Sequence, residues 1–300
     1  MAVQQSPTTT GTAALARPSG GYAMLAVDQR EALRAMFAEH HGRPVADAEL
    51  TRFKVDAVRE LSPYASAVLV DRLFALDAVL AAGAVAPGCG LVVAADEFEA
   101  DDREFVAWSR LDEAVDPARM KAAGAVALKL LLLWRPDEPA AERIATAEEF
   151  AGRCRDAGLV SILEPVSRAP RDRSATWTQA DWDDGVLAAA RELGRVGVDL
   201  YKAEVPLHGQ GDEAAVRRAC AAITDAVAGE WVVLSSGVPH DDFPRAVELA
   251  CAEGASGFLA GRAVWRQTVG AADVPAALRT TGVPRLRELG EIVDAAMAQR

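Results

Sequence analysis

The chain has 300 residues, 51% of them hydrophobic, and a formal net charge of −12. The size suits one large domain or two small ones, and the acidic balance argues against nucleic acid or an anionic membrane as partner, since both need a basic footprint. Four scattered cysteines without a C-x-x-C, and four histidines without an H-x-x-x-H, give no support to a redox motif or a zinc site and fit buried thiols in a reducing compartment.

The first eighteen residues, MAVQQSPTTTGTAALARP, are rich in Ser, Thr, Gln, Ala and Pro. They lack the charged and apolar regions of a signal peptide, so a disordered tail over 1–18 and a cytoplasmic location are expected. From residue 19 to 300 one pattern recurs. Short apolar runs lie at AMLAVDQ (23–29), ASAVLVD (65–71), GLVVAAD (90–96), AVALKLLLLW (125–134), LVSILEPV (159–166), VDLYKAEVP (198–206), WVVLSSG (231–237) and GFLAGRAVW (257–265). Each is near-continuous, as in strands buried on both faces of a parallel sheet. Between them the spacing predicts helices over 46–61, 141–158, 181–197, 212–229 and 242–255, with a last one over 284–300 and a short helix-like connection over 72–89. Eight alternations are what a (β/α)₈ TIM barrel needs. A doubly wound open sheet fits less well, because AVDQREALR carries no glycine-rich phosphate fingerprint. No stretch approaches eighteen apolar residues, so no membrane span is expected.

The chain contains only four lysines (Lys54, Lys121, Lys129, Lys202). Two of them, Lys129 and Lys202, sit inside apolar runs. A desolvated lysine can shed its proton whereas an arginine cannot, and a neutral amine attacks carbonyls. Schiff-base chemistry is therefore the leading expectation, with snorkelling to solvent the ordinary alternative. In a barrel the chemistry gathers at the carboxyl ends of the strands. Those ends carry Asp28-Gln29-Arg30, Asp71, Asp96, Lys129, Glu164, Lys202 and Glu204, Ser235-Ser236-Gly237, and Gly261-Arg262. Asp28 also has the reading of a helix cap, and capping is the preferred reading for Asp71 and Asp96. Glu164 could be only a partner for an arginine, and Glu204 only a partner for Lys202. The pair SSG and AGR at the last two strand ends suits a phosphate site built from backbone N–H groups.

The segments SGGYAMLAVDQREALRAMF, LSPYASAVLVD, VAADEF, ALKLLLLWRPDE, LYKAEVPL, LSSGV and GASGFLAGRAVW resemble the sulfofructosephosphate aldolases, within the class I tagatose-bisphosphate aldolase-like family. The resemblance implies a metal-independent, cofactor-free lyase that cleaves 6-deoxy-6-sulfofructose 1-phosphate to dihydroxyacetone phosphate and sulfolactaldehyde. It also implies that Lys202 forms the Schiff base, Glu164 transfers protons, and Lys129 is a second active-site lysine. Like-charge repulsion from Lys129 is expected to favour the neutral form of Lys202. Ser235, Ser236, Gly237, Gly261 and Arg262 would hold the ketose phosphate, and Gln29, Arg30 and Lys54 the other anionic end. Asp28, Glu164 and Glu204 are the candidate bases for the C4 hydroxyl. A homo-oligomer is the expected assembly. The alternatives are a tagatose or fructose 1,6-bisphosphate aldolase of the same mechanism and a non-catalytic sugar-phosphate sensor. The segment 168–184 is a less familiar insert, to which the resemblance assigns no role.

Overall fold

The computed structural model describes residues 11–172 and 176–300. Eight parallel strands close into a barrel: β1 (Tyr22–Ala26), β2 (Ala67–Val70), β3 (Gly90–Ala94), β6 (Ala125–Trp134), β7 (Val160–Ser167), β8 (Leu200–Glu204), β9 (Glu230–Leu234) and β10 (Gly257–Ala260), with β10 pairing back onto β1. Helices cover the outside, among them α1 (Glu31–His41), α2 (Asp47–Leu61), α5 (Ala140–Ala157), α6 (Gln179–Leu193), α7 (Glu213–Ala226), α8 (Phe243–Ala252) and α11 (Val283–Met297). This is the expected TIM barrel. No helix of the described residues is long and apolar enough to cross a membrane.

Side-chain parity along the strands sorts the residues. Alternate residues of a strand point to opposite faces. Tyr22, Met24 and Ala26 of β1 enter the barrel with Ala67 and Leu69 of β2, Val92 and Ala94 of β3, Ala127, Val160, Ile162, Leu200, Val232 and Leu259. Their neighbours Ala23, Leu25, Val68, Val93, Leu128, Tyr201 and Val233 pack against the helices in a separate, larger core. The interior is thus filled in layers, and the same parity carries Lys129, Glu164, Lys202 and Glu204 into the barrel above the apolar layers.

Two expectations are corrected. Residues 11–18 are not a loose tail: Gly11–Leu15 forms a turn of 3-10 helix. Leu15 is fully buried in the interior cluster, and Arg17 donates to both oxygens of Asp294 on α11 at 2.8 and 2.6 Å. This segment stoppers the amino-terminal end of the barrel, while residues 1–10 lie outside the described residues. The run 257–265 leaves its strand where the polar residues put the end, turning at Gly261 into α9 (Arg262–Trp265). A Cβ at Gly261 would meet the Ala26 carbonyl oxygen at 2.1 Å, so only glycine lets β1 and this turn approach so closely. Finally, the third apolar run breaks after Ala94. Asp96–Glu99 (β4) and Trp108–Leu111 (β5) then form an antiparallel hairpin beside the barrel mouth.

Candidate active site

A cavity of about 580 Å³ opens at the carboxyl ends of the strands. Of the residues singled out from the sequence, Asp28, Gln29, Arg30, Glu164, Lys202, Ser235, Ser236, Gly261 and Arg262 line it. Lys202 is 3% exposed and Glu164 5%, and the Lys202 Nζ stands 2.9 Å from Glu164 Oε1. Strand register accounts for the meeting: Glu164 enters one inward position above Ile162, which pairs with Leu200, and Lys202 is the next inward residue above Leu200. Lys202 thus reaches the cavity with its ammonium held by a carboxylate rather than by water.

Lys129 is placed differently. It is fully buried and does not line the cavity. Its Nζ lies 2.8 Å from Asp28 Oδ2, 2.8 Å from Asp96 Oδ2 and 3.1 Å from Glu164 Oε2. Burial disfavours its charge, but these three carboxylates outweigh burial and raise its pKa well above the ordinary lysine value. Lys129 is thus the charged hub of an ion cluster, enclosed by acids. Burial also pushes Asp28 upward, but Lys129, Lys202 and Lys54 outweigh it and hold Asp28 well below the usual aspartate range. Asp96 is raised by burial, with Lys129 and Arg30 working against the rise.

Asp28 and Asp96 are consequently not helix caps. The residue ahead of α1 is Arg30, and no side chain caps that helix. Asp96 accepts from Lys129 at 2.8 Å, from the Leu131 N–H at 3.0 Å and from Arg30 at 3.0 Å. Asp71 does cap the turn that follows it, accepting from the Phe74 N–H at 2.7 Å. Its other oxygen takes the ammonium of Lys54, which also donates to the Val27 carbonyl at 2.9 Å. Lys54 is fully buried behind β1 and does not reach the cavity, which corrects its expected place at an anionic end of a ligand. Burial lowers its pKa against the pull of Asp71.

Glu204 likewise stays out of the cavity lining. One oxygen accepts the Ser236 hydroxyl at 2.5 Å and the other the Ser167 N–H at 2.7 Å. It therefore does not pair with Lys202. Ser236 has φ of +35°, a left-handed conformation that a non-glycine residue rarely adopts, and the bond to Glu204 holds it there. Gly237 follows with φ of +88° and lines a second, adjoining cavity rather than the first.

The structure adds lining residues that had no assignment from sequence. Arg168, from the segment 168–184, donates to the Ser167 carbonyl at 2.8 Å, and its guanidinium lies 5.4 Å from the Trp182 ring. Both line the cavity, as do Arg103 and Phe98 of the hairpin and its loop. The Arg30 guanidinium sits 4.4 Å over the Phe98 ring. Gln29 Oε1, Arg30 Nε and Trp182 Nε1 are buried without a hydrogen-bond partner among the described residues, so this end of the cavity presents unspent polar atoms. Arg168 was legible as the first charged residue after an apolar run. The hairpin was hidden because the apolar run GLVVAAD reads as one strand that ends at Asp96.

The family model for DeoC/LacD family aldolases matches residues 22–267, the whole barrel from β1 to the loop beyond α9. The chain belongs to the DeoC/LacD family of aldolases. It is an aldolase, and so a lyase. Among curated relatives it is 28% identical over 310 residues to a tagatose 1,6-diphosphate aldolase of Listeria monocytogenes, covering 95% of this chain and 90% of the relative. It is 29% identical over 300 residues to tagatose 1,6-diphosphate aldolase 1 of Streptococcus pyogenes, covering 90% of each. Solved structures share the fold. The fructose-bisphosphate aldolase of Plasmodium falciparum superposes with a TM-score of 0.67 at 14% identity, over 94% of this chain and 92% of that one. An archaeal fructose-1,6-bisphosphate aldolase, with its catalytic lysine covalently bound to a carbinolamine intermediate, gives 0.61 at 15% identity, over 94% and 98%.

Proposed function

We propose that this aldolase works through a Schiff base on Lys202 and cleaves a ketohexose 1-phosphate that bears a second anion at C6. One observation carries the reading: Lys202 is the only lysine on the cavity wall among the described residues, and its amine lies 2.9 Å from a carboxylate. Attack on the C2 carbonyl needs the amine free of its extra proton, and Glu164 is in place to take it. The carbinolamine then loses its oxygen as water, with Glu164 returning a proton. The resulting iminium accepts the electron pair of the C3–C4 bond as a base removes the proton of the C4 hydroxyl, and the aldehyde leaves. Protonation of the enamine at C3 and hydrolysis release dihydroxyacetone phosphate and restore the amine. Glu204 is spent on Ser236 and Ser167, which leaves Asp28 and Glu164 as bases for the C4 hydroxyl. Lys129 acts as a positioning residue that fixes both of them.

Ser235, Ser236, Gly261 and Arg262 suit the C1 phosphate, and Gln29, Arg30 and Arg168 suit the C6 anion. The tagatose 1,6-diphosphate aldolases among the relatives favour a phosphate at C6. The sequence motifs of the sulfofructosephosphate aldolases favour a sulfonate. A phosphate is largely a dianion near neutral pH and a sulfonate a monoanion, so the ratio of kcat/KM on tagatose 1,6-bisphosphate to that on 6-deoxy-6-sulfofructose 1-phosphate decides between them.

The mechanism is tested by incubation with dihydroxyacetone phosphate, borohydride reduction and peptide mass spectrometry. The adduct is expected on Lys202, and Lys202→Arg is expected to lose both the adduct and turnover although the charge is kept. An adduct on Lys54 or Lys121 instead, or wild-type turnover in Lys202→Arg, overturns it.

A further inference from the structure

Behind the phosphate loop lies a second cavity, of about 560 Å³. Ser235 and Arg262 line both cavities and stand between them. The remaining wall comes from the loop Gly237–His240, from α9 and the turn after it, from the first turn of α11, and from His40 at the end of α1. Its charge is unusual for so acidic a chain. Arg262, Arg266 and Arg285 all line it, and none of the three forms an ion pair with a described residue. Arg285 donates one Nη to Gln267 Oε1 at 2.6 Å, and its other Nη is buried without a partner. The acids within electrostatic reach of Arg285 are Asp241 and Glu288. Asp241 is 85% exposed and already 3.0 Å from His240 Nε2. Burial, and then the neighbouring Arg266, push the Arg262 pKa below its ordinary value, as expected where cations crowd without a counter-ion.

Unpaired guanidinium groups around a concave surface match tetrahedral oxyanions, which arginine grips through two N–H bonds at once. Val238, Pro239, Ala263 and Val269 supply an apolar wall beside them. We propose that this outer cavity is a second anion site, separate from the cavity that holds Lys202, for a small phosphorylated organic molecule gripped by Arg266 and Arg285. The site shares Arg262 with the substrate cavity, so its occupant and the substrate phosphate draw on one guanidinium.

The inference rests on the binding geometry and not on turnover, so it stands or falls apart from the aldolase mechanism. Equilibrium dialysis of the full chain against radiolabelled inorganic phosphate counts the ions bound at saturation. The wild type is expected to bind three per chain, two in the Lys202 cavity and one outside it, and Arg266→Ala/Arg285→Ala two. Neither arginine touches the Lys202 cavity, so phosphate-free cleavage by the double variant is expected to stay within about twofold of wild type, which reports that it is folded. Tungstate soaks of crystals give the position: the wild type is expected to show one ion against Ser236 and Gly261, one beside Gln29 and Arg30, and another between Arg266 and Arg285. Equal phosphate counts in wild type and variant, or tungstate only in the Lys202 cavity, overturn the proposal.

Discussion

At the residue scale, the site depends on which acids are spent on protein and which face the cavity. Glu204 illustrates the difference. It shares a strand with Lys202 and has the right parity for catalysis, yet both its oxygens are committed, to Ser236 and to Ser167. A left-handed non-glycine residue costs about 1–2 kcal/mol, and a hydrogen bond to a charged group contributes about 1.5–3 kcal/mol. Glu204→Gln should therefore loosen the phosphate loop, raising KM by about tenfold with kcat little changed; steady-state kinetics separate this from a catalytic role, which would lower kcat. Sequence reasoning reached Lys202 and Glu164 because a lysine-poor chain makes a buried lysine conspicuous. It misread Asp96, because an acid ending an apolar run looks the same whether it caps a turn or binds an ammonium on the neighbouring barrel strand. It misplaced Lys54, because a helix pattern does not tell how far a side chain is from a partner such as Asp71.

At the element scale, the hairpin of β4 and β5 and the stopper at 11–15 are the two pieces that the apolar runs did not disclose. The hairpin brings Phe98 under Arg30. A cation over an aromatic face is worth about 0.5–2 kcal/mol, so Phe98→Ala should free Arg30 and weaken its hold on the C6 anion. The expected result is a several-fold fall in kcat/KM on the doubly charged substrate and a smaller one on fructose 1-phosphate, which lacks that anion. Equal losses on both would remove Arg30 from the distal end. The stopper is tested through Leu15, whose side chain completes the lowest interior layer. Leu15→Ala leaves a cavity and should cost about 2–5 kcal/mol, seen as a fall in Tm of several degrees with kcat/KM unaltered. The strands themselves were legible because a strand buried on both faces must be apolar throughout. The polar residues marked their carboxyl ends as well, since β8 stops at Glu204 and β10 at Ala260, just before Gly261.

At the scale of the whole molecule, a net charge of −12 surrounds an interior in which opposite charges are matched within a few ångströms. That pairing makes stability depend on pH. Asp28 has a folded-state pKa below its unfolded one. Its contribution is complete above the ordinary aspartate value of about 3.9 and is lost as pH falls through the lower folded value. Asp96 and Glu204, raised by burial, act with the opposite sign, contributing below the ordinary carboxylate range and losing that contribution as pH rises through their folded values. The plot of Tm against pH should therefore drop at the acid end, and Asp28→Asn should flatten that drop; coincident acid limbs would remove Asp28 as its source. The stoppered floor has a practical corollary. All traffic of small molecules must use the opposite rim, and the backbone at residue 11 emerges at the sealed side. A tether to a bead or a fused partner joined at residue 11 thus starts from the side away from the entrance, and an immobilised preparation should turn over as fast as a free one.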